Sequence, residues 1–212
     1  MSRWPSLNRP ITAPKQLLVE GRTPEIFFRE WIEAPGLKGT VEVRDFGSID
    51  ELTDFLKVFT GRPEFREGVK SIGIVRDAEK ASPASAFASI CSGLSAVGLA
   101  SPLGIGKFSQ ETPRTGVFIL PDCSGQGMLE TLCWSVLASD PKNSQRLECV
   151  EGYLSCLRSA GVETANAAKA KIWAYLAGEG KFEPQLGRAA QVNMFDWAAP
   201  PLEALSTFLK SI

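Results

Sequence analysis

Residues 16–25, Gln16-Leu17-Leu18-Val19-Glu20-Gly21-Arg22-Thr23-Pro24-Glu25, pass directly from a short apolar run to a helix start. An apolar run this short, with no polar alternation, predicts a strand covered on both faces, as in a parallel sheet. Thr23 as N-cap, Pro24 in the first helical position and Glu25 in the first turn then open a helix. Phe27, Phe28, Trp31 and Ile32 supply its buried face. Between strand and helix stands an acid, Glu20, followed by a glycine.

Working outward, the same pattern recurs. Thr40-Val41-Glu42-Val43 predicts a second strand, leading to Asp45-Phe46-Gly47. Ser48-Ile49-Asp50-Glu51 has the S-x-x-E form of a capping box ahead of Ile49, Leu52, Phe55, Leu56 and Phe59 at helical spacing. Ile72-Gly73-Ile74-Val75 predicts a third strand, with Arg76-Asp77-Ala78-Glu79 as its exit and Ser82-Pro83 opening the next helix. Gly116 to Leu120 predicts a fourth, leaving through Pro121-Asp122. The alternation implies an α/β fold, a Rossmann-like parallel sheet of about four strands flanked by helices and joined by right-handed crossovers. No strand is expected after Gly127, and helices are expected near 127–138, 144–160, 164–178 and 201–211. The expected organisation is an N-terminal arm over 1–14, lying on the surface or mobile, an α/β core over 15–138, and a C-terminal helical extension over 139–212 packed on that core.

Composition narrows the function. At 212 residues, 44% apolar and 22% charged, the chain can build one well-buried core, with no second independent domain expected. A net charge of -1 means that contact with a polyanion must come from a local basic patch. No apolar run reaches the roughly 18 residues of a membrane span, and the first residues lack a signal-peptide core, so a cytoplasmic protein without membrane contact is expected. The sequence has no histidine, which excludes Ser-His-Asp, Cys-His and H-E-x-x-H chemistry and leaves carboxylate metal chemistry, with Mg²⁺ or alternatively Mn²⁺ as the ion. The five cysteines lack C-x-x-C spacing and are read as buried reduced thiols.

In an open parallel sheet the ligand site lies beyond the carboxyl ends of the strands. Glu20, Asp77, Glu79 and Asp122 all fall at such ends, with Asp45 a weaker member. Carboxylates brought together repel unless they share a proton or a cation, and a hard divalent ion resolves that repulsion. Glu130 falls in the first turn of a helix, off its apolar stripe. Arg22, at the first helix N-terminus, could meet a substrate phosphate. Each residue also has a purely structural alternative. Glu20 and Glu79 could be solvated surface acids, Asp122 a turn residue after Pro121, Glu130 an acid favoured by the helix dipole, and Lys169 and Lys171 part of a solvated helix face. Gly125-Gln126-Gly127 follows a strand but lacks the third glycine of G-x-G-x-x-G, and no G-x-x-x-x-G-K-[ST] phosphate loop occurs.

Leu18-Val19-Glu20-Gly21 with Ile74-Val75-Arg76-Asp77-Ala78-Glu79 resembles the TOPRIM domain of topoisomerases, bacterial primases and overcoming-lysogenization-defect-type nucleases. Phe118-Ile119-Leu120-Pro121-Asp122, Gly127-Met128-Leu129-Glu130 and Lys169-Ala170-Lys171-Ile172-Trp173 narrow the resemblance to a small bacterial TOPRIM-like family, domain of unknown function 3226, over nearly the whole chain after residue 14. The resemblance implies a Mg²⁺-dependent nuclease or related phosphodiester-transfer enzyme acting on DNA or RNA, as the effector of a defence system. It implies Glu20 as acid/base or ligand, Asp77 and Glu79 as the metal-binding pair, and Lys169 as a catalytic cation, while Asp122 and Glu130 are expected as further ligands because the fourth strand emerges beside the third. The sequence departs from the family pattern twice. Glu79 stands where Asp is usual, and Pro24 stands four residues after Glu20 where an acid is usual. The alternative is a non-catalytic binding or regulatory subunit of an ATPase complex. With no phosphate loop of its own, the chain is expected to work with a partner ATPase, docked through Trp4 or the C-terminal helices.

Overall fold

The computed structural model of the protein describes residues 3–34, 36–180 and 183–212. Four strands, β1 (Lys15–Val19), β2 (Val41–Asp45), β3 (Ser71–Asp77) and β4 (Arg114–Leu120), form one parallel sheet in the order β2-β1-β3-β4. Val19 is in register with Asp45 on one side and Val75 on the other, and Asp77 with Leu120. All four carboxyl ends therefore open at one edge. This is the parallel α/β sheet, flanked by helices, expected from the alternation.

The two-residue period of each strand divides the core. Leu17, Val19, Val43, Val75, Phe118 and Leu120 face one helical layer, formed by α1 (Arg22–Trp31), α5 (Leu129–Ser139), α7 (Ala167–Ala177) and α9 (Glu203–Ser211). Leu18, Ile72, Ile74, Val117 and Ile119 face the other, formed by α2 (Leu52–Thr60) and α4 (Pro83–Ala96). Burial on both faces is why these strands read as unbroken apolar runs. α9 lies directly on the sheet. A Cβ on Gly73 in mid-β3 would come 2.9 Å from Ile212 Cδ1, and Phe208 stacks on Phe108 with ring centroids 5.0 Å apart.

Several elements differ from expectation. β2 and β3 run two residues further, so Asp45 and Asp77 close their strands instead of following them. The reason at β2 is Arg44, which is fully buried with its guanidinium satisfied by hydrogen bonds and therefore continues the strand. α1 begins at Arg22 with Gly21 as its cap, ahead of Thr23. Two six-residue helices, α3 (Pro63–Gly68) and α8 (Leu186–Gln191), are too short to show a period. α6 (Ser144–Ser159) is an outer helix that buries only Val150 and Leu154. Two of the cysteines read as buried, Cys149 and Cys156, are exposed on it, and Cys133 alone is fully buried. The capping box at Ser48 and Glu51 forms as expected, with Ser48 N donating to Glu51 Oε2 at 2.9 Å.

The arm is docked. Trp4 and Leu7 are buried, and Trp4 meets Phe55 of α2 edge to face at 5.8 Å. Trp4 is thus covered by its own domain, which corrects its assignment as a docking residue. Met1 and Ser2 lie outside the described residues. Among the described residues, no helix is long and apolar enough to cross a membrane.

Candidate metal centre

Beyond the carboxyl edge lies a cleft of about 990 Å³, walled by α1, α5, α6 and α7. Glu20, Asp77, Glu130 and Lys169 all line it. Their placement follows from the local chain. Glu20 is one residue past β1, and Gly21 after it adopts φ +95°, a conformation that L side chains rarely take, to turn the chain into α1. Asp77 ends β3 on the face of Val75. Its Oδ1 accepts a hydrogen bond from Leu129 N at 2.9 Å, so the first amide of α5 points at it. Lys169 sits in the first turn of α7, where Asn166 Oδ1 accepts from Lys169 N at 3.0 Å and caps the helix. The N-terminal ends of α1, α5 and α7 therefore border one acidic cleft, and helix N-termini favour anions there.

The electrostatics are unbalanced. Burial pushes the Asp77 carboxyl up to about 7, with the Glu130 charge second, and Glu20 and Glu79 add to it against the Leu129 hydrogen bond. Glu20 is also raised, first by burial and further by Glu79, while the Ile49 amide (3.0 Å) and the Arg76 guanidinium (3.4 Å) oppose the shift. Each of these acids thus feels its neighbours as like charges. Among the described residues, no three carboxylate or thiol side chains are gathered tightly enough to form a ready-made metal cage. Mg²⁺ does not require one, because it keeps several waters and takes one or two protein carboxylates. An all-oxygen donor set, with Asp77 pushed up to about 7 first by burial and then by the Glu130 charge, fits such an ion.

The remaining residues singled out from the sequence lie elsewhere. Glu79 is exposed and in a left-handed conformation (φ 53°), its N–H donating to Gly127 O at 2.7 Å. Its charge acts on both Glu20 and Asp77, yet it does not line the cleft. Asp122 is engaged in its own turn. Its Oδ1 accepts from Ser124 N, Ser124 Oγ and Gly125 N at 2.8–2.9 Å, and these bonds, Gly125 first, hold it below the usual range. Asp45 binds the amides of Gly21 and Gly47, fixing the turns on either side of it. Arg22 is exposed, pairs with buried Glu25 at 2.5 Å and lines a separate groove, so its carboxylate partner takes the place of the expected phosphate. Glu25 also pairs with Arg9 and does not line the cleft, so it does not replace the acid missing at Pro24. Arg76, the counter-charge of Glu20, was not singled out as a site residue, although a cation directly before the strand-end acid Asp77 is the signal for it.

A family model described as a protein of unknown function (DUF3226) matches residues 14–212. The chain belongs to the DUF3226 family. The resemblance to this family expected over nearly the whole of the chain after residue 14 is thus shown for this DUF3226 chain. Among solved structures, the C-terminal region of the OLD protein of Xanthomonas campestris pv. campestris is similar to it at 12% identity with a TM-score of 0.39, over 96% of this chain and 88% of that one. No curated protein matches.

Proposed function

We propose that the cleft binds one Mg²⁺ or Mn²⁺ and cleaves phosphodiester bonds of nucleic acid. The observation that carries this reading is the group of acids lining the cleft at the strand ends, where Asp77 is pushed up to about 7 by burial and by Glu130. Structural carboxylates are normally paired or hydrogen-bonded, and perturbed ones in a cleft mark functional sites. Asp77 is the principal ligand, with Glu130 beside it in the cleft and Glu79 adding its charge from outside. The bound ion would neutralise charge on the scissile phosphate. Glu20, raised from its ordinary value by burial and oriented by Arg76 and the Ile49 amide, moves the proton. Lys169, at the N-terminus of α7, meets the phosphate oxygens.

A second reading has its own support. Asp122 and Arg22 are committed to other partners, which leaves fewer working groups than a nuclease of the expected pattern would have. A metal-retaining, non-catalytic subunit of an ATPase complex is therefore the competing proposal. The test incubates purified protein with labelled single- and double-stranded DNA, RNA and transfer RNA, with Mg²⁺ or Mn²⁺, beside an Asp77→Ala control. Metal-dependent cleavage lost in the variant is expected, and absence of cleavage on every substrate favours the second reading.

A further inference from the structure

The same cleft has a second wall that the metal chemistry does not use. Trp173 of α7 and Tyr153 of α6 both line it, at 54% and 56% exposure. Among the described residues, neither ring stacks on another aromatic side chain, although the protein stacks Trp31 on Trp197 and Phe28 elsewhere. Trp is a residue that folding normally covers. Two large rings from two helices, left open on one wall beside an acid cluster, are placed where a bound molecule would touch them.

Charge decides what that molecule is. The cleft carries Glu20, Asp77, Glu130 and Glu183 against Lys169, so phosphate contacts alone give a nucleic acid little affinity there. Base stacking is indifferent to charge and supplies binding that the acids do not oppose. Lys169 and Trp173 are four residues apart on α7, one turn, or about 6 Å along the axis. One nucleotide is long enough to set its phosphate at Lys169 and its base on Trp173. In a duplex the base faces are covered by their neighbours, whereas an unpaired base presents a free face.

Building on the nuclease reading of this cleft, we infer that Trp173 and Tyr153 form a stacking platform for unpaired bases, so that the substrate is single-stranded nucleic acid or a single-stranded stretch of a longer one. Trp173 carries the stack nearest the acids, and Tyr153 extends it toward α6.

Binding and cleavage are measured separately on the full chain. Anisotropy of a labelled oligothymidylate is followed at fixed salt with Ca²⁺, a hard cation of the same ligand class, beside a blunt duplex of equal length. Trp173→Ala is expected to weaken single-strand binding by about 5- to 100-fold, with Trp173→Phe retaining most of it and Tyr153→Ala showing a smaller loss. Val58→Ala, an exposed apolar residue on α2, leaves it unchanged. The salt dependence of single-strand binding is expected to be shallow, because few phosphates are neutralised. Duplex bound as tightly as the single strand, or single-strand affinity unaltered by Trp173→Ala, overturns the inference even if metal-dependent cleavage is intact. Single-strand binding lost in Trp173→Ala, with no cleavage by the wild type, upholds the platform and removes the nuclease reading. Wild-type protein that binds no oligonucleotide removes both.

Discussion

Two groups of charged side chains flank the sheet, and they are built on opposite terms. Beside β2, Arg44 is 1% exposed, and its guanidinium donates to Gln16 Oε1, to the carbonyls of Ser6, Arg9 and Pro10, and to Glu42 Oε2. Glu42 in turn accepts from Thr12 and Gln16. Burial, the largest influence on Glu42, pushes it up, yet hydrogen bonds from Thr12, Gln16 and Arg44 together bring it below the usual range. At the carboxyl edge, by contrast, burial raises both Glu20 and Asp77, neighbouring acids add to it, and Asp77 is pushed up to about 7. The first group uses charge to fasten the N-terminal arm to the sheet. The second sets Asp77 among Glu130, Glu20 and Glu79 with one backbone hydrogen bond against them, an arrangement a folded chain retains where a ligand supplies a further partner.

The contrast is broken most severely at Arg44. Arg44→Ala takes one donor each from Gln16, Glu42 and the carbonyls of Ser6, Arg9 and Pro10, and is expected to destabilise the protein by about 3–5 kcal/mol in urea unfolding. Arg44→Lys should rescue little, because an ammonium cannot reproduce the planar fork. The two groups should also respond to pH with opposite sign. Glu42 is lowered, so its contribution is present above the ordinary glutamate value and is lost as pH falls through its folded value. Asp77 is raised, so its contribution is present below its ordinary value of 3.8 and is lost as pH rises through about 7. In metal-free protein, the stability of wild type relative to Asp77→Asn is therefore expected to fall by about 3–4 kcal/mol between pH 4 and pH 8. Thermal melts of the two proteins across that range measure it.

Smaller effects sharpen the comparison. Gly21→Ala forces a side chain into φ +95° beside the Asp45 hydrogen bond and should cost about 1–2 kcal/mol while displacing Glu20. Asp122→Asn should cost about 0.5 kcal/mol and leave metal affinity unchanged, since that carboxylate belongs to its own turn. Calorimetric titration of the Asp122 variant with Mn²⁺ checks the second half of this expectation.

What the sequence disclosed follows from the range of each interaction. Apolar runs, capping residues and strand exits are local, so the four strands, the large helices and the placing of Glu20 and Asp77 were legible. Arg44 was not, because its acceptors are carbonyls on the arm, at Ser6, Arg9 and Pro10, far away along the chain. The pairing of Arg22 with Glu25 was available as an i,i+3 spacing. The participation of Arg9, which helps to hold Glu25 away from the cleft, was not. Trp173 had a local signal that was not followed. It stands off the buried stripe of Ile172, Tyr175 and Leu176, and an aromatic residue on the open side of a helix asks what covers it.

The central claim is that the unsatisfied edge is completed by a divalent cation held by Asp77. Titration calorimetry of Mn²⁺ into wild type and Asp77→Asn at pH 8, above the value near 7 to which Asp77 is raised, tests it directly. Saturable binding by the wild type, weakened at least about tenfold in the variant, is the predicted result. No saturable binding by the wild type, or equal affinity in both proteins, would contradict it.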